Sequence, residues 1–177
     1  LVSIGLNGGG RVENTGGISY ANPWHTDNLP GYDQDYSRSS LLLNQLGYRK
    51  NKTGFYEKNG SVLSMNLIAD NRLTGILKIL IRQLEKGGIK VIARSMNLAA
   101  LDAQLQKFNF DAGLFMSSAL GDPVTFASRT IGPTALSDRY LENEELNSIF
   151  EKNVQIPDLK QRRKMVDRAQ HIYALEL

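Results

Sequence analysis

The chain's 177 residues are 41% hydrophobic, enough for one compact domain with a real core and too few for two substantial ones. Its 21 Lys and Arg against 18 Asp and Glu leave a net charge of +3, which supplies no large field to recruit nucleic acid or a membrane surface. There is no apolar run of about eighteen residues to span a bilayer, and zero cysteine removes disulfides and thiolate metal sites.

Residues 1–34 are rich in turn formers, Gly8, Gly9, Gly10, Gly16, Gly17, Pro23, Pro30 and Gly31, and read as an extended segment packed on the surface of the domain. Its expected anchors are Ile18, Tyr20, Trp24, Leu29 and Tyr32, because an aromatic ring buries much area at low entropic cost. Leu1 to Gly10 lacks the basic, apolar, small-residue order of a signal peptide. Residues 35–177 read as the α/β domain proper. Asp35 stands at an N-cap position, Ser39, Leu42, Leu43 and Leu46 follow at helical spacing, and Gly47 occupies the expected C′ position.

From Ser61 to Ala69, Val62, Ser64 and Asn66 alternate with Leu63, Met65 and Leu67, which predicts a strand with one apolar face. Leu73, Ile76, Leu77, Leu80 and Leu84 recur with helical period, and Gly87 and Gly88 end that helix in a left-handed cap. Ile89 to Met96 is the next expected strand, Asn97 the cap of a helix carrying Leu98, Leu101 and Leu105, and Phe110 to Ser117 a third strand buried on both faces. Alternating strands and helices with right-handed crossovers predict an open, mainly parallel sheet covered by helices.

Past Pro123 a short helix is expected within Asp122 to Pro133, then Leu141 to Lys152 and Asp158 to Leu175, all covering the sheet. The last carries a stripe of Leu159, Met165 or Val166, Ala169, Ile172 and Tyr173. Opposite lie Lys160, Arg162, Arg163, Lys164 and Arg168, which read as a solvated face, since a nucleic-acid surface would interleave aromatics. The chain starts without Met and ends inside an expected helix, so it is expected to be a piece of a longer polypeptide.

Catalytic patterns fail on context. Gly5-Leu6-Asn7-Gly8-Gly9-Gly10 has no preceding strand, no following helix and no Lys-Ser/Thr pair, so it is not a phosphate loop. His25 and His171 are the only imidazoles and lack metal-ligand spacing. Asp27 beside His25 could form an acid/base pair, although a turn role suits so polar a loop better. No serine sits in a Gly-x-Ser-x-Gly or Ser-x-x-Lys setting. No enzyme activity, cofactor or metal is expected.

Four stretches in order carry a resemblance: Asp35 through Leu42-Leu43 to Gly47-Tyr48; Leu80 through Leu84 to Gly88-Ile89-Lys90-Val91; Phe108-Asn109-Phe110-Asp111 with Asp122-Pro123; and Asp158, Arg162, Gln170 with Ile172. Together they resemble the family 5 extracellular solute-binding proteins, the oligopeptide, dipeptide and nickel binders of ABC importers. The resemblance implies a periplasmic-binding-protein type II fold, of which this chain is the second lobe. It also implies a missing first lobe, an ABC permease in the membrane as partner, an extracytoplasmic location in the periplasm or on a lipid anchor, and a small peptide or other polar solute as ligand. A ligand-sensing domain of a cytoplasmic transcriptional regulator is the alternative, because similar lobes are fused to DNA-binding domains.

In open α/β sheets, ligands sit beyond the carboxyl ends of the strands. That rule selects the loops Ala69 to Arg72, Ser95 to Leu98 and Met116 to Asp122, and within them Asp70, Asn71, Met96, Asn97, Met116, Ser117, Ser118, Ala119, Leu120 and Asp122. The last loop resembles the family's ligand loop, where Gly-Trp-x-x-Asp normally supplies a stacking Trp and an amine-pairing Asp. Here Ser replaces the Trp and that Asp is lost. An ammonium buried without a carboxylate costs several kcal/mol, so either the first lobe supplies the charge or the ligand is not an ordinary free peptide. Asp122 before Pro123 suits a turn or cap, while Ser117 and Ser118 suit a neutral, sugar-like or amide ligand.

Overall fold

A computed structural model describes residue 18 and residues 22–31, 33–116 and 143–176. Residues 33–116 form one compact unit, and residues 18, 22–31 and 143–176 belong to a second. Among the described residues, no helix is long and apolar enough to cross a membrane.

The first unit opens with α1 (Tyr36–Gln45), whose first turn is closed by Asp35 Oδ1 accepting from the Arg38 N–H at 2.8 Å. Gly47, at φ +89°, ends it. A small antiparallel meander follows, β1 (Arg49–Lys50), β2 (Tyr56–Lys58) and β3 (Ser61–Val62), with Lys50 opposite Tyr56 and Lys58 opposite Ser61. Asn59 and Gly60, both at positive φ, make its tight turn, as Asn-Gly pairs do in two-residue hairpins. The strand expected over Ser61 to Ala69 is therefore two strands. At Leu63 the chain passes from the meander to the main sheet, since its N–H donates to Tyr56 O and its carbonyl accepts from the Lys90 N–H.

The main sheet has the order β5 (Lys90–Met96), β4 (Ser64–Asp70), β6 (Ala112–Leu114), all parallel. Its crossovers are α2 (Thr74–Lys86), entered by a 3-10 turn at Asn71–Leu73, and α3 (Leu98–Lys107). The first crossover steps from β4 to one neighbour and the second steps back across β4 to the other, so right-handedness puts the two helices on opposite faces. Consequently Leu67 and Ala69 pack with Leu77, Leu80 and Ile81 of α2, while Ile68 packs with Leu101 and Leu105 of α3. The single apolar face expected of β4 is thus corrected: Leu67 through Asp70 are buried on both sides. β6 is corrected too. It is three residues long and half exposed, because it holds only one neighbour among the described strands. Asn66 grips its entry, its N–H and Nδ2 donating to Asp111 Oδ2 at 2.7 and 3.0 Å.

The second unit holds α4 (Glu144–Asn153) and α5 (Leu159–Glu176). Asn143 Oδ1 caps α4 through the Leu146 N–H, and Asp158 Oδ1 caps α5 through those of Lys160 and Gln161. Leu146, Ile149, Phe150, Val166, Ala169 and Ile172 enclose Ile18, with Trp24 packed against them. The two helices pack their apolar stripes on each other within this unit. The helix expected within Asp122 to Pro133 lies outside the described residues, as do Tyr20 and Tyr32. Ile18 and Leu29 are buried.

The basic run on α5 is only partly a solvated face. Arg163 donates to Asp167, Pro23 O and His25 O, Arg162 Nε to Asn153 Oδ1, and Arg168 to both Glu145 oxygens. Buried Gln170 completes the clamp, donating to Trp24 O and accepting from the Thr26 N–H. These bonds hold residues 22–26 against α5.

Candidate functional site

The parallel register aligns the carboxyl ends of the strands, pairing Asp70 with Met96 and Ala69 with Leu114. This edge brings Asp70, Asn71, Met96 and Asn97 together, and Met116 follows β6 by two residues. Ser117, Ser118, Ala119, Leu120 and Asp122 lie outside the described residues.

Each residue at the edge has a distinct setting. Asp70 is fully buried, and its carboxylate accepts from the Arg72 backbone N–H and from Nε at 2.9 Å, with Nη2 on Oδ2. Burial alone would raise the Asp70 pKa, but the Arg72 guanidinium, followed by the Arg72 backbone N–H, outweighs it and holds the carboxyl below its usual value. Asn71 is exposed and begins the 3-10 turn. Met96 is half-buried against Ile68, Leu101 and Leu105, so it is mainly a packing residue. Asn97 spends its side-chain oxygen on the Ala100 N–H at 3.0 Å, capping α3. Met116 is 52% exposed.

The residue that sequence reasoning passed over is Arg72, whose side chain is 51% exposed although it grips a buried partner. Its Nη1 has no hydrogen-bond partner among the described residues. An acid ending a strand with a base two residues later was the available signal. The consequence is chemical: both Asp70 oxygens are engaged, leaving the edge with an outward guanidinium and no free carboxylate among the strand-end residues described here. A groove of about 270 Å³, walled by Tyr36, Leu43, Leu80 and Leu84 and reaching Gly87, lies at the other end of α2 and is not part of this edge.

The Asp70–Arg72 pair makes stability pH-dependent. Because the folded Asp70 pKa is lowered, its contribution is fully present above the unfolded value of about 3.9 and is lost as pH falls through the folded value. Denaturant titrations from about pH 5 to about pH 2 should show a shallower acid loss for Asp70→Asn than for the wild type. Equal slopes would mean the pair is not formed in solution.

The acid/base option at His25 gains little from the geometry. Its Nε2 is 3.8 Å from Asp27 Oδ1, Asp27 is 92% exposed, and its Nδ1 sits 2.8 Å from Ile18 O, a bond that anchors the loop.

No protein-family model matches the chain, and no curated protein matches it in sequence. Solved structures do match. The oligopeptide-binding protein AppA from Bacillus subtilis, in complex with a nonapeptide, is 22% identical with a TM-score of 0.79, over 98% of this chain and 36% of that one. MelB from Agrobacterium fabrum C58, a periplasmic binding protein in complex with stachyose, is 20% identical with a TM-score of 0.77, over 90% and 27%. NikZ from Campylobacter jejuni, in complex with Ni(L-His), is 23% identical with a TM-score of 0.67, over 89% and 32%. The chain spans about a third of the length of these proteins. The chain thus has the periplasmic-binding-protein type II fold, shared over its length with these oligopeptide-, stachyose- and Ni(L-His)-bound proteins.

Proposed function

We propose that the chain is the ligand-binding second lobe of a two-lobed, non-catalytic solute-binding protein that serves ABC-type import outside the cytoplasm. In this reading residues 35–177 form the lobe, residues 1–34 run over its surface, a first lobe completes the cleft, and a membrane permease receives the solute. The carrying observation is the parallel carboxyl edge, where Asp70, Asn71, Met96 and Asn97 converge with the outward Arg72. Met116, Ser117, Ser118, Ala119, Leu120 and Asp122 are proposed to extend that surface.

Proteins of this fold have been solved with a nonapeptide, with stachyose and with Ni(L-His), so ligand class follows from side chains rather than architecture. Here Asp70 is neutralised by Arg72 and does not serve an ammonium. The free guanidinium N–H groups suit a carboxylate, and Asn71, Ser117 and Ser118 suit hydroxyl or amide groups.

Isothermal titration of the two-lobed protein against peptide and glycan pools tests the reading, and no binding from either pool would refute it. Arg72→Gln is expected to weaken a carboxylate-bearing ligand by roughly tenfold, the scale of one charge-assisted hydrogen bond. The 177-residue chain alone should bind only weakly, because a cleft needs both walls to bury a solute.

A further inference from the structure

The net charge of +3 conceals an uneven distribution. Residues 33–116 hold twelve Lys and Arg against seven Asp and Glu, and the rest of the chain holds nine against eleven. Four of the twelve, Arg49, Lys50, Lys52 and Lys58, fall within the meander, and all four are exposed. The one acid among them, Glu57, is partly buried and accepts from Asn51 Nδ2.

An apolar strip adjoins these cations. Helix α1 turns Ser40 and Leu43 inward, Ser40 Oγ taking the Tyr56 hydroxyl at 2.6 Å and Leu43 lining the groove against α2. Leu41, Leu42 and Leu46 are left 57%, 49% and 62% exposed. The two features are stitched together, for Lys58 Nζ donates to Leu46 O at 2.9 Å and Arg49 Nη1 to Asn44 O at 2.8 Å. Both cations stay exposed while they close the carbonyl end of the helix.

We propose that this strip of leucines and the basic meander beside it form a docking surface for anionic lipid headgroups. The leucines would enter the boundary between headgroups and acyl chains while Arg49, Lys50, Lys52 and Lys58 meet the phosphates. The chemistry of the surface favours a bilayer over a protein partner. Protein interfaces are depleted of Lys, and their energetic centres are rich in Trp, Tyr and Arg with Leu under-represented. Here lysines and leucines dominate, and Tyr56 is buried beneath the meander. The leucines also stand on a convex helix, which a bilayer accommodates without a matching shape. The proposal does not depend on the solute-binding reading, because it involves no residue of the carboxyl edge.

Co-sedimentation of the 177-residue chain with vesicles tests it. Binding is expected to mixed phosphatidylglycerol and phosphatidylcholine vesicles at an ionic strength of about 0.01 M, and release at about 1 M, where the Debye length is about 3 Å. Vesicles of phosphatidylcholine alone should not bind. Lys50→Ala with Lys52→Ala should weaken binding by roughly 25-fold, about fivefold for each cation near the surface. Leu42→Ser with Leu46→Ser should weaken it by roughly tenfold or more, as two leucines leave the acyl boundary. All four side chains are exposed, so circular dichroism should be unchanged. Equal binding to both vesicle types, binding to neither, or indifference to both double variants overturns the proposal. Salt-sensitive capture of polyglutamate without vesicle binding also overturns it, and assigns the surface to an acidic protein.

Discussion

Ile68→Ala is expected to destabilise the chain by about 4 kcal/mol, within the range of about 2–5 kcal/mol for removing a large aliphatic side chain from a close-packed site. Ile68 is fully buried at the centre of the middle strand and packs with Leu101 and Leu105, which are 0% and 2% exposed. The resulting cavity has little means of collapsing. The β4 backbone is tied on both sides, with Ile68 aligned to Arg94 of β5 and Gly113 of β6, and Phe110 and Phe115 already pack on the cluster. Ile68→Val should cost only about 1 kcal/mol, and Leu42→Ala, on the exposed strip of α1, less than about 0.5 kcal/mol. Urea titration followed by circular dichroism gives all three midpoints. A midpoint for Ile68→Ala close to that of Leu42→Ala would show that α3 does not seal this face of the sheet.

The features readable from the sequence were those written in local chemistry. Asp35 and Asn97 act as helix caps because a short side chain accepting from the N–H three residues on needs nothing beyond its own turn. The alternation of strand and helix from Ser64 to Leu114 was likewise visible, because each element carries its own period. What escaped was set by neighbours. Both faces of β4 are buried only because the order β5-β4-β6 sends the two crossover helices to opposite sides, and that order cannot be read from the strand's alternation. The meander was missed because strands of two and three residues are too short for a period, although Asn59-Gly60 announced its turn. At the candidate site, strand-end position drew attention to Asp70, Asn71, Met96 and Asn97, which the parallel register gathers at one edge. Position could not tell that Asp70 is consumed by Arg72, that Met96 faces the core or that Asn97 spends its oxygen on a cap.

Gly88→Ala is expected to cost about 3 kcal/mol, from about 1–2 kcal/mol for placing a Cβ in the left-handed region and about 1–3 kcal/mol for overpacking. Gly88 sits at φ +91°, and a Cβ there would lie 2.7 Å from Tyr56 Cδ2 and 3.2 Å from Gly54 O. The ring cannot step aside without loss. Tyr56 is 2% exposed, its hydroxyl donates to Ser40 Oγ, and its N–H donates to the Gly88 carbonyl at 2.8 Å. One glycine thus lets the meander, α1 and the turn after α2 meet around a single tyrosine. Gly54→Ala separates the two contributions, because Gly54 also has positive φ, +87°, yet a Cβ there meets nothing within 4 Å. It should cost only the conformational part, about 1–2 kcal/mol. Thermal unfolding should order the variants accordingly, with Gly88→Ala melting roughly 6–12 °C below the wild type at about 2–4 °C per kcal/mol. If Gly54→Ala lowers the Tm as far as Gly88→Ala does, the clash with Tyr56 contributes nothing, and the ring does not lie against the Gly88 turn.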